Sequence, residues 1–395
     1  MTDITIILPC LNEEKALPHC LDEIEKTVIL HNLDAEVLII DNGSTDRSVS
    51  IVQERINLYR GKNPQLWKGP QIRLLHEGNT GYGSAYQKGF EHAKGTYIFM
   101  ADSDGTYQFK DIPLFIDNLK SGSDLVVGNR FAKTIEKESM PWLHKYIGNP
   151  FLSFLVRTFF NVKIHDIHSG VRAIKKEAYG KMVLYTRGME FASEMIIKAA
   201  RNKLIIKELP VVYKPRIGES KLRSFIDGWR HLRFILLYSP LLLFVLPGFI
   251  LFTIGLISLL LLYFFQIKIF TIQLYVHPMF YSALATILGY QLISFAAFSK
   301  VYAITHLGDT DERINKLFKY ISLERASLIG ILLTLIGLSI YTYIFATWIK
   351  SNLGDLNQIK NSIVALTFVV VGIQTFFSAF MFSIIGIKED RKSVV

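Results

Sequence analysis

Apolar positions follow two regimes along the 395-residue chain. Up to about residue 235 they form strand-length runs or amphipathic stretches. Beyond it they form four long blocks, 240–265, 278–304, 326–349 and 363–387, each long enough to cross a bilayer as a helix. In the first regime, "ITIILP" (4–9), "AEVLIID" (35–41), "IRLL" (72–75), "TYIFMAD" (96–102) and "DLVVGNR" (124–130) read as strands. Between them, helices are expected over 18–30, with Leu21, Ile24 and Val28 on one face, from about 46, and over 84–94. The stretch 188–216 reads as a helix, then a strand. Continuous apolar strands alternating with amphipathic helices predict an α/β layer with a mostly parallel sheet, whose ligands bind beyond the carboxyl ends of the strands.

Two further stretches look interfacial. In 220–235, Leu222, Phe225, Ile226, Trp229 and Leu232 share one helical face and Lys221, Arg223, Arg230 and Arg233 surround it, the pattern of a helix lying in the headgroup layer. In 140–162, Trp142, Leu143 and Tyr146 precede "FLSFLVRTFF", broken by Pro150 and Arg157. This stretch reads either as interfacial or as packed on the α/β core. The expected organisation is an α/β domain at 1–218, an amphipathic helix at 219–236, four transmembrane helices in two hairpins at 237–390, and a tail at 391–395.

Charge adds orientation. Arg313, Lys316, Lys319 and Arg325 lie between the second and third blocks, and Lys388, Arg391 and Lys392 follow the fourth. The loops expected on the other side hold Lys268 in one, and Lys350 and Lys360 in the other. This asymmetry places the α/β domain and the C-terminus in the cytoplasm of a multi-pass protein of the cytoplasmic or endoplasmic-reticulum membrane. The net charge of +10 suits an anionic bilayer and a phosphorylated substrate, and no nucleic-acid motif is present. Residues 1–9 lack a basic segment and cleavage site, and Cys10 and Cys20 read as free thiols in a reducing compartment.

The candidate chemistry lies at the predicted strand ends: Asn12, Glu13, Asp41, Glu77, Asp102 and Asp104. "DNGSTD" (41–46) is compatible with ordinary turn and cap chemistry and equally with an Asp that accepts hydrogen bonds from a nucleoside. "GNTGYGSAYQKG" (78–89) allows close approach of a ligand to backbone but fits neither common glycine-rich nucleotide fingerprint. Asp102 and Asp104 are more telling. Two carboxylates at close range repel, and a divalent cation that also bridges a diphosphate removes the penalty. Arg130, Arg172 and Arg216 recur at element ends, which favours an anionic substrate.

"ILPCLNEE", "VLIIDNGSTD", "NTGYGSAYQKG", "ADSDG", "VGNR", "HSGVRAI", "MEFASEM" and "GESK", in this order over about residues 3–235, resemble the signatures of inverting family-2 glycosyltransferases. The closest resemblance within that family is to dolichyl- or polyprenyl-phosphate sugar synthases of the dolichyl-phosphate mannose synthase type. It implies a GT-A fold, a UDP- or GDP-sugar donor, a polyprenyl or dolichyl phosphate acceptor, and Mg²⁺ or Mn²⁺. Carried over by position, Pro9, Asn12, Glu13, Asp41, Gly81, Asp102 and Asp104 would bind the donor, with Asp41 on the nucleoside and Asp102 near the ribose or diphosphate. Asp104 would hold the metal, with Asp102 as a second candidate ligand. Arg130 and Arg172 would meet phosphates, Asp166 would orient Arg172 or the acceptor, and Asp104, Arg130, Asp166 and Arg172 form the expected catalytic set. Arg216, Ser220 and Lys221 join Arg130 and Arg172 around the acceptor. Thr106 stands where some synthases carry Gln, with Gln108 further on, so the third metal ligand is open.

A phosphate acceptor is already anionic and needs little help from a general base. Transfer to a glycerolipid or other lipid hydroxyl would need one, for which Asp166, Glu190 and Glu194 are the candidates. A processive polysaccharide synthase is disfavoured by the lack of a Q-x-x-R-W segment. A flippase with a regulatory α/β domain is disfavoured by the lack of a charge deep within a crossing. The last two crossings are open to oligomerisation, acceptor docking or anchoring.

Overall fold

The computed structural model describes residues 2–60, 69–218, 224–239, 241–269, 272–274, 276–306, 323–354 and 356–386. The chain divides into two compact units, Met1–Tyr238 and Ser239–Val395.

The first unit is built on seven strands: β1 (Ile4–Cys10), β2 (Ala35–Asp41), β3 (Gln71–His76), β4 (Tyr97–Met100), β5 (Leu125–Asn129), β6 (Arg172–Lys175) and β7 (Ile206–Pro210). Their spatial order is β3-β2-β1-β4-β6-β5-β7. Every pairing is parallel except those of β6, which runs antiparallel between β4 and β5. The helices are α1 (Leu17–Leu30), α2 (Ser48–Arg60), α3 (Tyr82–His92), α4 (Ile112–Lys120), α5 (Asn149–Phe160), α6 (Lys176–Gly180), α7 (Phe191–Arg201) and α8 (Ser224–Tyr238).

Both faces of the sheet are covered, so β1, β2 and β5 are apolar on consecutive residues instead of alternating. On one face Ile6, Leu8, Val37 and Ile39 meet Leu21, Ile24 and Val28 of α1 and Phe115 and Leu119 of α4. On the other, Ile7, Leu38 and Ile40 meet Tyr86 and Phe90 of α3 and Met195 and Ile196 of α7. The expected α/β layer is present, in a GT-A-like arrangement. Sequence reading missed β6 and α4. At four residues, "RAIK" is too short for a periodicity to register.

The two stretches with interfacial character each have a packed and an exposed face. Leu152, Ser153 and Val156 of α5 are buried, whereas Trp142, Tyr146, Phe151 and Phe154 are exposed. In α8, His231, Phe234 and Ile235 are buried while Ile226 and Trp229 are exposed. Leu232, expected on the lipid-facing side, packs on the core instead. Leu222 lies outside the described residues.

The second unit contains four helices long and apolar enough to cross a membrane: Leu243–Phe264, His277–Tyr302, Leu323–Lys350 and Ile359–Gly386. Glycines let their backbones approach closely. A Cβ at Gly255 would meet the amide of Thr286 at 2.5 Å, and one at Gly337 would meet the carbonyl oxygen of Ala365 at 2.8 Å. Of the basic residues that set the expected orientation, Arg313, Lys316, Lys319, Lys388, Arg391 and Lys392 lie outside the described residues.

Candidate functional site

The strand ends converge because adjacent loops are tied to one another by side chains that sequence reading treats as turn formers. Asn12, at φ 51°, accepts hydrogen bonds through Oδ1 from the amides of Thr45 (2.7 Å) and Asp46 (3.3 Å). The amide of Glu13 donates to Ser48 Oγ at 2.8 Å, which fixes the loop after β1 against the loop after β2. Asn42 does the same for the next pair. Its Oδ1 accepts from the amide of Gly81 (2.7 Å) and its Nδ2 donates to the carbonyl of Asn79 (2.7 Å). Gly81 has φ 142°, and a Cβ there would collide with the carbonyl of Arg187, so the position requires glycine. Pro9 contributes its carbonyl, which accepts from Ser103 Oγ at 2.5 Å and joins β1 to the Asp102–Asp104 turn. Of the expected donor-binding residues, Pro9, Asn12 and Gly81 therefore shape the loops.

Asp41 is 5% exposed, with Oδ1 accepting from the Ser44 amide (3.0 Å) and Oδ2 facing His76 Nδ1 (3.1 Å). Asp102 is half-buried, and its Oδ1 is sealed from solvent without a hydrogen-bond partner. Burial foremost, and then the charge of Asp104, push the Asp102 carboxyl up to about 7. The loop before β6 presses on it so closely that a Cβ at Gly170 would collide with the carboxylate. Asp104 is 7% exposed. Its Oδ1 accepts from the amide (3.1 Å) and the hydroxyl (2.6 Å) of Thr106, and its Oδ2 faces Arg216 Nη1 at 3.1 Å. The other terminal nitrogen of Arg216 binds Glu13. Thr106 thus steadies Asp104 through its proton, and Gln108 Oε1 is buried without a partner.

The antiparallel turn into β6 brings a second group to the same edge. Arg130 and Asp166 form a buried bidentate pair: Nε to Oδ2 at 2.7 Å and Nη2 to Oδ1 at 2.7 Å, with the Arg130 amide adding 3.1 Å to Oδ2. Glu208 holds this segment by accepting from the amides of His165 (2.6 Å) and Asp166 (2.9 Å). The Arg130 guanidinium also lies 5.1 Å from the ring centre of Tyr213, and Tyr107 Oη accepts from the Gly170 amide at 2.7 Å.

Two side chains have other partners than expected. Asp166, expected to orient Arg172 or the acceptor, pairs with Arg130 and not with Arg172. Arg172 does not present its charge to the cleft: it is 1% exposed and donates to the carbonyls of Ser169 (3.0 Å), Ala192 (2.8 Å) and Ile167 (2.7 Å). A guanidinium at the start of a central strand is fully desolvated and takes the backbone acceptors that the turn leaves open. Arg216 is brought to the carboxylates at the donor-side strand ends. Ser220 and Lys221 lie outside the described residues.

The candidate bases differ sharply. Glu194 is fully buried and accepts from the amides of Tyr185 and Thr186, the Thr186 hydroxyl (2.6 Å) and Lys198 Nζ (2.9 Å). Glu190 Oε2 is buried with no partner. Sequence reading also missed a cluster of His168, Ser193 and His231. Ser193 Oγ lies 2.8 Å from His231 Nδ1, and the two rings are edge-to-face at 4.2 Å. Burial keeps both imidazoles neutral, pushing His231 down to about 4 and His168 well below its usual range. No spacing signal links these residues, which lie on three separate elements. Both cysteines are unbridged and buried, and burial raises the Cys10 thiol to about 11.

Among the described residues no group of three His, Cys, Asp or Glu side chains gathers as a complete protein metal site. The carboxylates nevertheless fit a divalent cation of the magnesium type, which takes one or two carboxylates and completes its shell with water and substrate phosphates. The unpartnered Asp102 Oδ1 beside Asp104 is the donor set that such an ion would satisfy.

Residues 5–183 match the family profile "Glycosyl transferase family 2", and residues 297–386 match "Glycosyltransferase family 2 C-terminal transmembrane region". The chain is 35% identical over 384 residues to the low-salt glycan biosynthesis hexosyltransferase Agl6 of Haloferax volcanii, covering 97% of this chain and 89% of that protein. It is 27% identical over 226 residues to a dolichyl-phosphate hexose transferase of the same organism, covering 57% of this chain and 89% of that protein. Among solved structures it is similar to glucosyl-3-phosphoglycerate synthase from Mycobacterium tuberculosis in complex with Mn²⁺, UDP-glucose and glycerol 3-phosphate. That likeness has a TM-score of 0.43 and 18% identity, over 60% of this chain and 80% of that one.

Proposed function

The chain belongs to glycosyltransferase family 2, and on that premise we propose that it transfers a hexose from a nucleotide-sugar donor to a polyprenyl or dolichyl phosphate at the cytoplasmic face of a membrane. Its chemistry is that of an inverting nucleotide-sugar transferase. In a single displacement the acceptor oxygen bonds to the anomeric carbon while the bond to the nucleoside diphosphate breaks, so an α-linked donor gives a β-linked product. The similarity to a hexosyltransferase over nearly the whole chain supports hexose transfer, and the similarity to a dolichyl-phosphate hexose transferase over 226 residues supports this acceptor class.

The observation that carries the reading is the commitment of two of the three candidate bases. Asp166 is the counter-ion of Arg130, and Glu194 is saturated by the amides of Tyr185 and Thr186, the Thr186 hydroxyl and Lys198. A phosphate monoester needs no base, because it arrives as an anion. What it needs is positive charge and a fixed approach. Arg130, locked by Asp166 and by the ring of Tyr213, supplies a preorganised cation. Asp41 holds the nucleoside end of the donor. Asp104 and Asp102 would hold Mg²⁺ or Mn²⁺, which when bound offsets the negative charge that develops on the departing diphosphate. Covalent linkage to four membrane helices keeps the transferase with an acceptor whose phosphate stays at the interface.

One observation favours a second reading, transfer to a lipid hydroxyl: the unpartnered, buried Oε2 of Glu190 is available as a general base. The test is a screen of purified full-length protein in lipid, with labelled UDP- and GDP-hexoses, Mn²⁺, and either polyprenyl phosphate or glycerol-type acceptors. The expected result is label in a mild-acid-labile lipid, abolished by Asp104→Asn and retained by Glu190→Gln. Label confined to hydroxyl acceptors and lost in Glu190→Gln would overturn the phosphate acceptor.

A further inference from the structure

Three arginines of the α/β unit are held in three different ways. Arg172 is fully buried, with three guanidinium nitrogens on backbone carbonyls. Arg130 grips one buried carboxylate with two parallel bonds. Arg216 is neither. It reaches between two loops with one terminal nitrogen on Glu13 and the other on Asp104 Oδ2, its side chain is 22% exposed, and its Nε has no hydrogen-bond partner. In the first two arrangements every guanidinium nitrogen that is sealed from water has a partner, which fixes the side chain in place.

The carboxylate that Arg216 occupies is the decisive point. Asp104 Oδ1 already accepts both the amide and the hydroxyl of Thr106, so Oδ2 is the oxygen left to a further cation, and Arg216 Nη1 stands 3.1 Å from it. A magnesium-sized ion must approach a carboxylate oxygen to about 2.1 Å. A guanidinium on the same oxygen opposes that approach, on grounds of crowding and of like charge. The backbone that carries Arg216 is pinned independently of the side chain. The amide of Lys214 donates to the Thr106 carbonyl (3.0 Å), the amide of Ile217 to the Asp104 carbonyl (2.9 Å), and a Cβ at Gly105 would meet Ile217 at 2.7 Å. The side chain can therefore leave by rotating about its own bonds while the strap beneath it stays in place.

We propose that Arg216 is a built-in placeholder cation that occupies the metal-binding oxygen of Asp104 in the donor-free protein and competes with the divalent ion for it. This rests on the reading of Asp104 as a metal ligand. The arrangement sets one positive charge between Glu13 and Asp104 between turnovers and couples metal entry to displacement of the side chain. The apparent affinity for the ion is lowered by the fraction of time that the oxygen is occupied. An Arg216 seated nine-tenths of the time weakens binding about tenfold.

The experiment titrates Mn²⁺ into purified full-length protein in lipid nanodiscs without donor, reading free Mn²⁺ by its electron paramagnetic resonance signal. Arg216→Gln is expected to bind Mn²⁺ about tenfold more tightly than wild type. Arg216→Lys, which keeps the charge but loses the two-loop grip, should fall between them and guards against misfolding of the glutamine variant. Lys214→Gln removes the same unit of charge from the same strap and is expected to change the affinity little. Equal Mn²⁺ affinity in wild type and Arg216→Gln, with binding lost in Asp104→Asn, would overturn the placeholder while keeping Asp104 as a ligand. Equal tightening by Arg216→Gln and Lys214→Gln would reduce the effect to net charge and also overturn it. Mn²⁺ binding that is unchanged by Asp104→Asn would remove the metal reading itself.

Discussion

Asp166→Asn tests the interior of the site most directly. The substitution keeps the shape of the side chain and removes the charge that balances Arg130. The pair is buried on both sides, with 7% and 0% of the two side chains exposed, and is joined by two contacts of 2.7 Å. The Arg130 amide adds a third bond to the same carboxylate. An asparagine can accept through one oxygen only, and it turns an N–H₂ group toward a guanidinium that is itself all donors. Breaking one side of a buried pair leaves an uncompensated charge and costs about 3–5 kcal/mol. At roughly 2–4 °C per kcal/mol for a unit of this size, the melting temperature of the α/β unit should fall by about 6–20 °C. The assay is a fluorescence melt of full-length protein in nanodiscs, run as a cycle with Arg130→Met and the double variant. Removing both charges restores a neutral interior, so the double variant should be more stable than the sum of the singles predicts. A loss below about 2 °C for Asp166→Asn, or additivity within about 0.5 kcal/mol, would refute the argument.

Two further outcomes follow from the buried titratable groups. The Asp102 carboxyl is raised to about 7, so the folded state holds a proton that the unfolded chain has released above about pH 4. Stability from this group is complete at low pH and is lost as pH rises through 7. Asp102→Asn should therefore melt higher than wild type at pH 8 without divalent ions, and should be inactive in the donor screen; a lower melting temperature would contradict the assignment. His231 behaves oppositely. Its imidazole is held neutral down to about 4, so its contribution is present above about pH 6.5 and disappears as pH falls toward 4. His231→Asn should lose less stability than wild type between pH 7 and pH 5 by the same melt, and an equal loss would refute the role of burial there.

Much of this protein can be read from the order of residues alone. The α/β layer, the four long apolar helices and the strand-end placement of Asp41, Asp102 and Asp104 depend on local periodicity, and a strand buried on both faces or a helix sized to a bilayer announces itself in any context. The partners of the charged side chains are a different matter. Asp166 is six residues from Arg172 and 36 from Arg130, yet it pairs with the distant one because the antiparallel course of β6 turns the 166–172 segment back along the sheet edge. Arg216 lies 112 residues from Asp104 and 203 from Glu13, and meets both only because the chain after β7 returns over the turn that follows β4. Glu190 and Glu194 look alike in sequence, one helical turn apart. Packing of the 185–186 loop saturates one and leaves an oxygen of the other without a partner. Periodicity encodes which face of an element is apolar, and so it carries the fold. Which carboxylate is neutralised, and by which cation, depends on contacts between elements far apart in the chain, and those exist only once the strands have taken their order.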